Sequence, residues 1–136
     1  MVTINLKGRE IPLLFTAYEM KTVQEEIAPN EKVMDLVSGK DPENPDYKFG
    51  SAEHLTVLSK MIRIMGNAGL EEDGQEPDLT NKKVLRALSP RELVFMVNAC
   101  VNAVNDGFHS EIPPKEEAGP VDVTLEELNK KKETDG

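Results

Sequence analysis

The sequence has no tryptophan, and four phenylalanines and two tyrosines are its only other carbocyclic aromatics in 136 residues. A core built from it is aliphatic, and it offers few platforms for stacking bases or sugars. One cysteine, Cys100, leaves no intramolecular disulfide and no cysteine-based zinc site to build. A reducing cytoplasm is the expected compartment. Apolar runs extend only a few residues, far short of the roughly 20 that span a bilayer. The opening Met1 to Lys7 lacks the basic start and long apolar core of a signal peptide. Bases are scarce beside acids, 16 against 25, for a formal charge of −9. Phosphate binding releases counterions through clustered Lys and Arg, so this balance argues against a general nucleic-acid binder. It also argues against docking on an anionic membrane.

Catalytic groups are equally sparse. His54, in the first turn of an expected helix, and His109 read as surface histidines rather than bases. Cys100 falls on an apolar stripe and reads as a buried, inert thiol. Gly66 and Gly69 lack the Lys-Ser/Thr that completes a phosphate loop. The acidic stretch Glu71 to Asp78 fails the calcium-loop pattern, because counting from Asp73 puts Asp78 where glycine belongs and Val84 where glutamate belongs. No catalytic constellation, metal ligand set or cofactor site results, and the chain reads as a binding protein rather than an enzyme.

What is present is periodicity with punctuation. Val2 to Leu6 alternates apolar and polar, Lys7-Gly8 supplies a tight turn, and Glu10 to Phe15 returns, giving a hairpin with Pro12 on an edge or at a bulge. A lone hairpin is marginal in water, so Ile4, Leu6, Ile11 and Leu13 are expected to pack on helices. Thr16 to Glu19 has capping-box spacing and predicts a helix to about Ile27, with Met20, Val23 and Ile27 on one face. Asn30 is expected to cap a short helix ending at Ser38 and Gly39. Residues 40–50 read as a loop with two prolines.

Ser51 caps a helix whose two apolar stripes, one through Leu55, Leu58, Ile62 and Met65 and one through Val57, Met61, Ile64 and Ala68, make it central. Thr56, Lys60, Arg63 and Asn67 are its expected solvated face, and Gly69 its expected end. Thr80 or Asn81 starts a short helix to Leu88. Ser89-Pro90-Arg91-Glu92 starts the last one, which turns Leu93, Met96, Val97, Cys100, Val101 and Val104 inward and closes at Gly107. Arg91, Asn98, Asn102 and Asn105 form its polar edge, and Phe95 sits among them; cover by the hairpin or the 40–50 loop is the plain alternative to a binding role. Met20, Met34, Met61, Met65 and Met96 all fall on helices, as core filler or as adaptable surface for apolar partners.

The expected fold is mainly α, an α+β arrangement of an N-terminal β-hairpin on a bundle of about five helices over residues 1–108. Residues 109–136 hold eight acids, four lysines, three prolines and hardly any large apolar side chain. They are expected to form a flexible acidic tail, because so little apolar burial does not offset ordering entropy.

Three segments, INLKGREIPLLFTAYEMKTVQE, LRALSPRELVFMVNACVNAVNDGF and EIPPKEEAGPVDVTLEELNKKKE, follow one another in an order that resembles the tail assembly chaperones of long-tailed bacteriophages and prophages of Gram-positive hosts. The likeness covers nearly the whole chain in layout, residues 40–80 contributing least. It implies a protein of viral morphogenesis that binds the apolar helices of the tape measure protein in the bacterial host cytoplasm. It would keep them soluble until tail tube subunits polymerise, and it would be absent from the mature virion. It also implies, for many such phages, a frameshift near the gene's end; Lys130-Lys131-Lys132 fits an A-rich slippery run or a plain solvated lysine cluster.

The partners expected are therefore the tape measure protein, the tail tube protein and a second copy of the chain, with neither nucleic acid nor membrane. An amphipathic client implies helix-in-groove recognition. Tyr18, Val23, Phe95 and Val101 are the candidate partner-binding residues on the first and last core helices. The alternative is an acidic interaction module, a DNA mimic or a regulator of a basic partner. Much of its acidic excess, however, lies in residues 71–78 and in the tail rather than in a spaced surface array.

Overall fold

The computed structural model describes residues 1–109; the expected tail, from 110 on, lies outside the described residues. Strands β1 (Thr3–Leu6) and β2 (Arg9–Pro12) pair antiparallel with Ile4 opposite Ile11. Lys7 and Gly8 both take positive φ, the conformation of the tightest hairpin turns. The alternation then puts Ile4, Leu6, Ile11 and Leu13 on one face, and all four are buried against helices as expected.

Five α-helices follow among the described residues: α1 (Ala17–Glu26), α2 (Asn30–Val37), α3 (Ala52–Glu72), α4 (Asn81–Ala87) and α5 (Leu93–His109), with a single 3-10 turn at Pro90–Glu92 leading into α5. This is the mainly helical fold with an N-terminal hairpin that the sequence implies. Local chemistry sets most starts. The Thr16–Glu19 box is formed in both directions, Ser51 accepts from the His54 N–H, and Thr80 accepts from the Lys83 N–H. The Ser89–Glu92 box closes the turn before α5. One start differs: Asn30 is the first residue of α2, its cap is Pro29, and no side chain bonds there.

Helix α3 runs through the centre, touching β2, α1, α2, α4 and α5. Leu58, Met61, Ile62, Met65 and Leu70 are inaccessible, and Val97, Cys100 and Val104 of α5 close the core. Two glycines expected to end helices do something else. Gly69 lies inside α3, which continues to Glu72 before Gly74 follows it, and Gly107 lies inside α5. A Cβ on Gly69 would sit inside the Pro12 carbonyl, and one on Gly107 inside the Phe15 carbonyl. Each glycine lets a backbone segment lie directly on a helix. The Leu14 N–H completes the first of these contacts by donating to the Met65 carbonyl at 3.0 Å.

The expected solvated face of α3 is mostly a seam. Lys60 Nζ donates to the Glu26 carbonyl, and Arg63 pairs with the Glu26 carboxylate. The Asn67 amide donates to the Leu79 carbonyl (3.1 Å) and accepts the Leu79 N–H (2.9 Å). These polar groups find partners on neighbouring elements, and only Thr56 of the four is fully exposed.

His54 is also not a surface residue. It is fully buried, accepts the Gly50 N–H at Nδ1 (2.9 Å) and donates from Nε2 to the Val37 carbonyl (2.7 Å). Its ring ties the 40–50 loop to α2 and α3. Tyr47 adds a second tie by donating to the Leu36 carbonyl at 2.6 Å. Burial pushes the Tyr47 hydroxyl up to about 12.

Candidate functional site

The surface most unlike the rest of the domain is the outward side of α5. Val94 and Phe95 are 61% and 59% exposed, and Phe108, at the far end of the same helix, is exposed to a similar degree. Val94, Val101 and Phe108 follow one another at seven-residue spacing. Seven residues are nearly two helical turns, so they form one stripe drifting slowly round the axis. Val101, half-buried, is the member that reaches the core edge. Phe95 stands beside the stripe with exposed Asn98, Asn102 and Asn105. Neither the hairpin nor the 40–50 loop covers it.

Helical geometry explains the exposure. The inward arc of α5 is filled by Met96, Val97, Ala99, Cys100, Ala103 and Val104 against α2, α3 and β1. Phe95 lies about 100° from Met96, turned out of that contact. The sequence reading placed Phe95 on this edge. It missed Val94 and Phe108, although the seven-residue spacing through Val101 was present to be read.

The other two candidates behave differently. Tyr18, 72% exposed, stands in the first turn of α1 at the rim of a shallow groove of about 280 Å³ between α1 and α3. Glu19, Thr22, Glu26 and Arg63 line that groove, so its wall is largely polar. Val23 is fully buried. The expectation that it is partly exposed is corrected by packing: α1 lies against both α2 and α3, and the side of α1 that carries Val23 is enclosed between them.

The candidates are therefore not gathered in one patch. Phe95 and Phe108 are separated by 13 residues of helix, roughly 20 Å at 1.5 Å per residue. The Phe108 ring lies 6.0 Å from that of Phe15, just ahead of α1, whereas Tyr18 stands on the α1–α3 groove.

Titratable groups near the core are held in definite states. Burial pushes the Cys100 thiol up to about 12, so it stays protonated near neutrality and is a poor nucleophile. Arg9, bonded to Asp78 at 2.9 Å, holds that carboxyl below its ordinary range. Among the described residues no group of three or more His, Cys, Asp or Glu is placed to hold a metal ion. No helix described is long and apolar enough to cross a membrane. Compared with family models, curated proteins and solved structures, the chain matches none.

Proposed function

We propose that the chain is a phage tail assembly chaperone. It binds the apolar helices of the tape measure protein and keeps them soluble until tail tube subunits polymerise, in the host cytoplasm and outside the finished virion. The observation that carries this reading is the outward side of α5. A helix otherwise committed to the core leaves Val94, Phe95 and Phe108 uncovered, and large side chains held this way suit an amphipathic partner helix. The order of hairpin, central helices and Ser-Pro-initiated last helix supports it through the resemblance described above. The work asked of the protein is binding, and no catalytic step is assigned to it.

Co-expression tests the reading. The tape measure protein of the same genome should partition to the pellet when made alone and to the supernatant when made with this chain. A Phe95→Ser variant that is still folded should rescue less of it. A tape measure protein that stays in the pellet regardless would overturn the proposal. Gene order gives an independent check: a tail tube gene upstream and a very long tape measure gene downstream.

A further inference from the structure

We propose that the exposed faces of α4 and of the start of α5 form a docking surface for an amphipathic helix whose apolar stripe is flanked by carboxylates. The inference deepens the chaperone reading and rests on it for the helical form of the partner. Charge distribution along the chain carries it. Residues 79–91 contain none of the 25 acids yet hold Lys82, Lys83, Arg86 and Arg91. In a chain of formal charge −9, this is a local reversal of sign.

Each face pairs cations with apolar side chains. Lys82, Leu85 and Arg86 stand three and four residues apart on α4, and all three are exposed. Across Leu88 and Ser89, Arg91 stands three and four residues before Val94 and Phe95, and these are exposed too. Among the described residues none of the four cations is in an ion pair. Lys83 is occupied by the Asp78 carbonyl at 3.1 Å, which leaves three uncommitted. Of the two flanking acids, Asp78 is paired with Arg9 at 2.9 Å, and Glu92 has its carboxylate turned to the Ser89 N–H at 3.0 Å.

Salt screens charge beyond about 8 Å at physiological ionic strength. A docking helix therefore senses these local cations more than the acids elsewhere. Arginine and aromatic side chains are both enriched in protein interfaces. Duplex DNA suits the surface poorly, because Leu85, Val94 and Phe95 have nothing apolar to meet along a phosphate backbone.

The test uses the full chain and three synthetic helical peptides that share one leucine stripe and differ in flanks of Glu, Gln or Lys. Anisotropy titrations at low salt should rank Glu over Gln over Lys, with the extremes about tenfold apart. High salt should shrink the gap. Arg86→Glu combined with Arg91→Glu should invert the order, and Phe95→Ser should weaken all three peptides. These side chains are exposed, and circular dichroism melts verify that each variant folds. Equal binding of the three peptides overturns the proposal, as does a preference that survives the double charge reversal. Tight binding of duplex DNA abolished by that reversal also overturns it, in favour of nucleic acid. A tape measure fragment separates the two ideas. Retention by wild type and double variant alike overturns this surface and leaves the chaperone reading standing. Retention by neither, while the Glu-flanked peptide binds, overturns the chaperone reading and supports the surface for another helix.

Discussion

α3 and α5 are the two long helices of the domain, and their surroundings differ. α3 is wrapped by β2, α1, α2, α4 and α5, and three of the four side chains on its polar side are engaged by neighbouring elements. α5 meets the core along one arc and turns the other outward with Val94, Phe95 and Phe108 uncovered. Apolar residues on α3 are answered by the fold itself. On α5 some are left exposed to solvent, and that difference is what makes α5, rather than α3, the candidate for binding.

The sharpest way to break this contrast is to empty the α3 side. Leu58→Ala should cost about 3 kcal/mol, as lost transfer energy plus a residual cavity, since Leu58 is fully buried. Urea denaturation measures it, and a loss under about 0.5 kcal/mol would put Leu58 at the surface.

Gly69→Ala should come next, at about 2 kcal/mol destabilising. Alanine is favoured over glycine inside a helix by roughly 1 kcal/mol, so the sign is decided by contact. The new Cβ meets the Pro12 carbonyl, which is backbone and moves only with the strand. Gly66→Ala is the control. Its Cβ meets the Leu79 Cδ1 at 2.7 Å and the Ile11 Cγ2 at 3.0 Å, side-chain ends that yield more cheaply, so its loss should be smaller.

The third effect is alkaline. The Cys100 thiol is raised from an ordinary 9 to about 12, so between these values the folded chain holds a proton that the unfolded chain has released. Stability should therefore fall as pH rises through that window. Cys100→Ala should flatten part of the slope in denaturant titrations run from neutral to high pH. Phe95→Ala should give the smallest stability change, under about 0.5 kcal/mol by thermal melting. It should weaken a bound tape measure fragment by about 1–3 kcal/mol in calorimetry, the scale of an aromatic anchor. A steep loss of stability would return Phe95 to the core and erase the contrast.

The same contrast marks what was legible in the sequence. Hairpin, helix starts at Thr16, Ser51, Thr80 and Ser89, and the central position of α3 follow from residues within a few positions of each other, so local pattern reveals them. Gly69 and Gly107 read as stops because helix-ending glycines are common, whereas the carbonyls of Pro12 and Phe15 that require them are distant in the chain. His54, Asn67 and Val23 fail for a related reason. Polarity or apolarity is visible in the letters, but the backbone groups that satisfy His54 and Asn67, and the helices that enclose Val23, are brought by tertiary packing. Phe95 was legible because it broke a local polar pattern.

The double hydrogen bond between Asn67 and Leu79 has a consequence for protein engineering. With Arg9 on Asp78, it fixes the entry to α4 from outside the 73–77 connection, so the position of α4 does not depend on that connection's length. The Gln75 N–H closes the end of α3 by donating to the Leu70 carbonyl at 2.8 Å, and residues added after it cost loop-closure entropy, about 0.6 kcal/mol per doubling. A reporter peptide or fluorophore tag inserted between Gln75 and Glu76 should leave the helices in place, giving a handle that keeps the outward side of α5 clear.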